Sequence, residues 1–322
     1  MASFILRRVL IGLLMLWAAS VMGFCIMKAA PGDYFDRLKM DPRVSQEHIE
    51  QLRRQYRLDQ HVLVQYAAWL GRFVRLDFGY SFEYKLPVSK VVGDRLLNTL
   101  LLNVLAVLVT WAVAIPIGTY AAVRQYSLGD KIFSALSFVG MSLPGFFAAL
   151  LMLYVFSAVL GWLPSGGLKS LDHDTLSFGG RLIDYARHLI IPTIVLSLAA
   201  LAELQRITRG NMLEVLRQQY IITARAKGLS ERRVIYKHAL RNAINPLITI
   251  FGYEFAALFS GAALLEIIIN YPGLGSLMLQ AIRSQDQFLV MGGFMMGAIM
   301  LLTGNLLAEI LLAVADPRIS YS

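Results

Sequence analysis

The sequence predicts an all-α integral membrane protein with six transmembrane helices and both termini inside. A large external segment follows the first helix, and a basic cytoplasmic loop joins the fourth to the fifth. Three observations lead there. The 322 residues are 57% apolar, with a mean hydropathy of +0.58, above the roughly one-half apolar share of soluble domains. The apolar residues gather into runs long enough to cross a bilayer at about 1.5 Å per residue. Residues 209–241 carry eight cations (Arg209, Arg217, Arg225, Lys227, Arg232, Arg233, Lys237, Arg241) against Glu214 and Glu231. Lys and Arg resist translocation, so this loop faces the cytoplasm.

Arg7 and Arg8 precede an unbroken apolar run over 9–27. Nineteen residues exceed the apolar core of a signal peptide, about 7–15 residues, so the run reads as an uncleaved first span with its N-terminus inside. The small residues Ala18 and Ala19 leave cleavage as an alternative. Cys25, the only cysteine, lies in this run and reads as packing. Bulky Phe24 in front of it disfavours a lipid-modified cysteine.

Residues 31–98 turn polar and form the external amphipathic region. Its eleven cations and nine anions between Asp33 and Arg95 nearly balance, so nothing holds it inside. Ser45-Gln46-Glu47-His48 is able to open a helix carrying Ile49, Leu52 and Tyr56 at helical spacing. A second amphipathic stretch, 62–73, bears Tyr66, Trp69 and Leu70 and is placed at the outer interface, where aromatic rings are favoured.

The second span covers 99–123, with Pro116 and Gly118 inside it. Arg124 and Lys131 flank a short inner turn. The third, 132–160, contains Pro144-Gly145, which bends or breaks it. An outer loop over 163–188 holds Asp172-His173-Asp174, and three adjacent residues converge poorly on one ion, so no metal site is assigned. The fourth span starts at 189 and meets the basic loop at Arg206. The coupling loop proper, 209–245, reads as helix, turn, helix. Gly228 suits a left-handed position after the first helix, Ser230 caps the second, and Glu231 sits in its first turn. Ala224 and Gly228 leave little bulk at this turn, so another protein's surface is able to approach closely. The fifth span is 247–269, a short external helix follows over 276–284, and the sixth span is 288–315. No repeat or linker divides the chain, which is one transmembrane domain over 1–322.

The chemistry of most enzymes is missing. No G-x-x-x-x-G-K-[ST] motif is present to cradle ATP phosphates. Gly273-Leu274-Gly275 follows a helix and lacks the third glycine of a dinucleotide site. No G-x-S-x-G or H-E-x-x-H occurs, and no nucleophile and base pair for an intramembrane hydrolase is legible, so no catalytic residue is assigned. The +9 charge belongs to cytoplasmic loops rather than to an aromatic-interleaved basic surface, which argues against nucleic acid as a partner. Four polar residues fall inside spans: Glu254 and Glu266 in the fifth, Asn305 and Glu309 in the sixth. A carboxylate there costs roughly 2.5–3.5 kcal/mol on insertion scales, so each must face a cavity or a partner. A helix–helix hydrogen bond is the simplest role. A proton-coupled secondary transporter also uses such groups, but it leaves the basic loop unexplained and needs paired broken helices in two halves.

The segment Ala224-Arg225-Ala226-Lys227-Gly228-Leu229-Ser230-Glu231, with His238-Ala239-Leu240-Arg241-Asn242-Ala243 and Pro246, closely resembles the EAA loop of ABC-transporter permeases, in the dipeptide, oligopeptide and nickel importer branch. Aligned on Gly228, Ile222, Thr223 and Ala224 stand where the broad pattern reads Glu-Ala-Ala, so the first position departs from it. The resemblance extends to Ala30-Pro31-Gly32-Asp33, to Leu58-Asp59-Gln60 with Val64-Gln65-Tyr66 and Trp69-Leu70, and to Asp77-Phe78-Gly79-Tyr80-Ser81. It continues through Glu266 with Tyr271-Pro272-Gly273-Leu274-Gly275 to Asp316-Pro317-Arg318. It implies that Thr223, Ala224, Ala226, Lys227, Gly228, Leu229, Ser230 and Glu231 dock on a cytoplasmic ATPase. The implied partners are a second homologous permease subunit, two ABC ATPase subunits that bind ATP and Mg, an extracytoplasmic solute-binding protein and the lipid bilayer of the cytoplasmic membrane. This chain itself would bind no cofactor. The implied cargo is peptides or a related small solute, such as an oligosaccharide or nickel chelate.

Overall fold

A computed structural model describes residues 2–29, 31–39, 45–247, 250–251 and 263–315. Apart from one two-stranded hairpin, the regular structure of these residues is helical. The described residues fall into two compact units: those up to 98 with 273–303, and those from 99 to 272 with 304–315.

The first unit opens with α1 (Ala2–Ala29). Leu6, Leu10, Leu13, Leu14, Trp17, Met22 and Ile26 of this helix are exposed, as a helix facing lipid requires. Cys25 is exposed too, so it does not pack as expected. Two short helices follow, α2 (Tyr34–Leu38) and α3 (Gln46–Gln55). Ser45 caps α3, its hydroxyl accepting from His48 N at 3.2 Å, and Ile49 is buried. Next comes α4 (Val62–Phe73), with the bounds the sequence predicts. Its aromatics pack against protein. Trp69 is 3% exposed, and Tyr66 packs against the same core of Phe24, Phe35, Phe78, Phe82 and Phe288.

Strands β1 (Tyr80–Ser81) and β2 (Leu86–Pro87) pair antiparallel. Asp286 pins this hairpin: Ser81 Oγ and Glu83 N donate to its Oδ2 at 2.6 and 3.0 Å. Its other oxygen accepts from Leu289 N, which caps the last helix. The short helix expected over 276–284 is observed over Leu274–Arg283.

Helix α5 (Val88–Val123) starts eleven residues before the expected second span, and Pro116 lies inside it without ending it. In the second unit, α6 (Leu128–Ser142) and α7 (Gly145–Met152), the latter continuing as a π-helix over Leu153–Val159, are the two halves of the expected third span. They meet at 107°. Leu143 is extended, ψ 121, because a residue before proline is excluded from helical backbone, and Pro144 starts the second half. Helix α8 (Phe178–Leu216) has 39 residues, about 58 Å, far more than the roughly 30 Å hydrocarbon core. It therefore begins eleven residues before the expected fourth span and runs on into the basic loop.

Helix α9 (Gln219–Ala226), α10 (Glu231–Arg233), a π-helix over Val234–Ala239 and α11 (Leu240–Ala243) make the loop region. Only α12 (Ala263–Ile268) represents the outer end of the fifth span, because 248–249 and 252–262, including Glu254, lie outside the described residues. Helices α13 (Leu274–Arg283) and α14 (Gln287–Ala315) complete the described residues. Among the described residues, α1, α5, α8 and α14 are long and apolar enough to cross a membrane, and the bent pair makes a fifth candidate.

Candidate functional site

The loop region is held from beneath by a compact apolar cluster. Met212 of α8, Ile221 and Ala224 of α9, Val234 and Ala239 of the π-helix and Ala243 of α11 bury together with Ala122 of α5. The base is tied to α8 by Asn211 Nδ2, which donates to Ala243 O at 3.2 Å. Alongside, α5 reaches α8 at Gly118, where a Cβ would lie 2.8 Å from Gln205 O and 2.7 Å from Thr208 Cβ. Only glycine permits that approach.

The turn itself closes as the residue types predict. Gly228 lies at φ +74, the left-handed region. Gly228 N donates to Arg225 O at 2.9 Å and Leu229 N to Ala224 O at 3.4 Å, the paired bonds of a Schellman ending. A Cβ on Gly228 would meet nothing within 4 Å, so glycine is needed for its backbone, not for space. Thr223, Ala226, Lys227, Gly228, Ser230 and Glu231 are exposed, and Leu229 is half-buried. Thr223 Oγ1 donates back to Gln219 O at 2.9 Å within α9.

Two details differ from the sequence reading. Ala224 is only 8% exposed and points into the apolar cluster, so its small size serves packing under the turn rather than an outer surface. Ser230 has the extended backbone of a cap, but its hydroxyl makes no capping bond. Glu231 instead clips the turn: Arg225 Nη2 donates to Oε1 at 2.7 Å and Nε to Oε2 at 3.2 Å. That bidentate pair lowers the Glu231 pKa and raises that of Arg225.

Arg209, counted among the loop cations, is not free. Its Nε and Nη2 donate to Asp130 at 2.7 and 2.9 Å, and Asp130 is 3% exposed. Asp130 also accepts from Tyr126 N at 2.9 Å, so the turn before α6 is locked to α8. The signal was present as Ser127-Leu128-Gly129-Asp130, a capping-box pattern whose serine accepts from Asp130 N at 3.3 Å.

Of the polar residues expected inside spans, Glu266 is fully buried and accepts from Thr99 Oγ1 at 2.7 Å. Asn305 is exposed and Glu309 half-buried on α14. His173 leaves its neighbours Asp172 and Asp174 and turns inward, its Nδ1 2.6 Å from Asp184 Oδ2. Ser170 Oγ donates to the same carboxylate at 2.6 Å, and His188 Nδ1 lies 3.3 Å from it. Long-range pairing of this kind, across 11 to 14 residues of sequence, leaves no periodic trace.

The sequence that builds this turn falls within a match to known proteins. The sequence profile described as "Binding-protein-dependent transport system inner membrane component" matches residues 114–321, and the N-terminal profile of the same system matches 1–103. The chain belongs to that family. It is 42% identical over its whole length, and the whole of the relative, to an oligopeptide transport system permease protein of Bacillus subtilis. It is 38% identical to a putative peptide permease protein of Brucella ovis, again with both chains fully covered. A di/tripeptide transport system permease protein of Pseudomonas aeruginosa is 36% identical, over all of this chain and 99% of that one. The N-terminal match covers the aromatic-cored segment of the permease, and the larger match covers Gly228 and its turn.

Proposed function

We propose that the chain is a membrane-spanning subunit of an ATP-driven ABC importer, forming the path for peptides or a related small solute delivered by an external binding protein. The observation that carries this is the Gly228 turn, raised on a rigid apolar base directly continuous with α8 and exposed to whatever approaches it. In this reading the chain crosses the bacterial or archaeal cytoplasmic membrane six times with both ends inside. The turn docks on one of two partner ATPases, and those partners bind ATP and Mg. A second homologous permease subunit completes the path. Closure of the ATPase pair draws the docked turns together. Because α8 enters the loop without a break, the movement passes into the span and exchanges inward-open for outward-open states. The exposed cations around the turn, Lys227, Arg232, Arg233, Lys237 and Arg241, contact the ATPase or the inner leaflet.

The purified chain should hydrolyse no ATP and acquire hydrolysis only when assembled with ATPase subunits. Robust hydrolysis by the chain alone would overturn the reading.

A further inference from the structure

The first unit contains a cavity of about 410 Å³ between the turn after α3 and one face of α4. Tyr56, Trp69 and Phe288 supply apolar walls, and Arg57, Arg72 and Arg75 supply charge. Trp69 and Arg72 stand three apart on α4, so the helix presents them on one side, and Arg75 lines the cavity from the turn that follows. None of the three arginines has a carboxylate partner among the described residues. Arg72 stacks on the Phe288 ring with 4.8 Å between guanidinium carbon and ring centre, which leaves its N–H edge for another group.

Gln65 also lines this cavity and is 8% exposed. Its Nε2 donates to Leu58 O at 3.0 Å and Gln60 O at 2.7 Å, which sets the orientation of the amide. Its Oε1 is shielded from solvent and accepts from no donor. A buried acceptor without a donor is costly, and a ligand N–H would relieve it once a small shift of the cavity wall opens the oxygen to the cavity.

We propose that this cavity is a subsite for the carboxylate end of a short peptide. The terminal carboxylate meets the arginines, the adjacent amide N–H meets Gln65 Oε1, and the side chains lie against the rings. Recognition of main-chain groups alone leaves residue identity free. The volume falls in the usual range of small-molecule pockets, about 300–1,000 Å³. A phosphodiester satisfies the arginines but brings no amide N–H. The inference rests on the peptide-import reading above.

The test uses the full chain in phosphatidylcholine nanodiscs and tri-alanine as probe, followed by calorimetry. Tri-alanine amide lacks the carboxylate, and tri-alanine N-methylated at its last amide lacks the N–H. Each should bind about tenfold more weakly than tri-alanine, the size of one lost hydrogen bond to a charged or buried group. Arg57→Gln and Arg75→Gln, both at exposed positions where folding is not at stake, should weaken tri-alanine similarly while the amide is unaffected. Equal binding of all three peptides would overturn the subsite. So would displacement of tri-alanine by inorganic phosphate or by phosphatidylglycerol at equal strength, which would make the cavity a phosphate or headgroup site. Uptake by cells carrying the assembled importer separates the two readings. Parental import by the double Arg57→Gln, Arg75→Gln variant would remove the subsite and leave import standing. Peptide binding without import by the parent would support the cavity and sink the import reading.

Discussion

Gly228 holds a backbone conformation that costs an L-residue on the order of 1–2 kcal/mol, and a side chain there would project into open space. Gly228→Val should therefore insert normally yet fail to retain ATPase or couple its hydrolysis to uptake. Gly228→Ala should be milder, and Lys237→Ala milder still. Co-purification of the tagged complex with an uptake assay checks all three, and parental retention and uptake for Gly228→Val would leave the cations with topology alone. The Arg225–Glu231 clip adds a pH dependence. Glu231 titrates lower folded than unfolded, so its support for the turn is present above the unfolded value and lost as pH falls through the folded one. Protection factors of the amides at 228–231, corrected for the intrinsic pH dependence of exchange, should fall as pH drops below the ordinary carboxylate range; protection that is flat through that range would assign the clip no role. The Asp130–Arg209 pair is the heavier one, because Asp130 is buried. Asp130→Asn leaves a half-buried guanidinium short of its partner and should lower stability by about 3 kcal/mol. Adding Arg209→Gln should restore part of the loss in thermal unfolding, and strict additivity of the two would mean the pair is uncoupled.

At the scale of elements, the break at Leu143-Pro144 matters most. Two helices meeting at 107° cannot cross a bilayer as one straight rod, so α6 and α7 turn within it or re-enter. Backbone groups freed by such a break are tolerated only against protein or a wet cavity. Ala148 and Ala149 of α7 are buried with Ile191 and Val195 of α8, whereas Ser142 and Pro144 at the break itself are exposed and left for a wet cavity or a partner. Pro144→Ala restores helical backbone to Leu143. The spin–spin distance between labels at 132 and 159 should lengthen, while an unchanged distance would show that packing against α8 holds the angle without the proline. Helix α8 is the complementary device: a long, uninterrupted rod that ends in the loop it carries.

For the whole molecule, the expected topology makes a direct prediction. On a Cys25→Ala background, single cysteines within 45–89 and 169–184 should label with an impermeant maleimide from outside, and those within 125–131 and 217–237 only after permeabilisation. Outside labelling near Ser230 would contradict both the charge pattern and the docking role. Cys25 is exposed on α1, so its removal should cost little stability.

Local chemistry made much of this legible in advance. Runs of apolar residues mark the long helices, because each must satisfy its backbone internally and face lipid. Serine at 45, glycine at 228 and proline at 144 mark a cap, a left-handed turn and a break, since each acts through its own backbone or its next few neighbours. The residues of the loop sufficed for the family because its pattern is contiguous. Helix ends were misjudged where polar residues continue a helix into water: Val88 and Phe178 begin helices ten or so residues before the apolar runs do. Direction of burial was hidden as well. Ala224 and Trp69 turned inward and Cys25 outward, which depends on helix rotation rather than composition. The pairs Asp130–Arg209, His173–Asp184 and Ser81–Asp286, and the arginine-lined cavity around Gln65, join residues far apart in the chain. Packing alone sets those distances, so only the tertiary structure could decide which charges are spent on each other and which remain for a ligand.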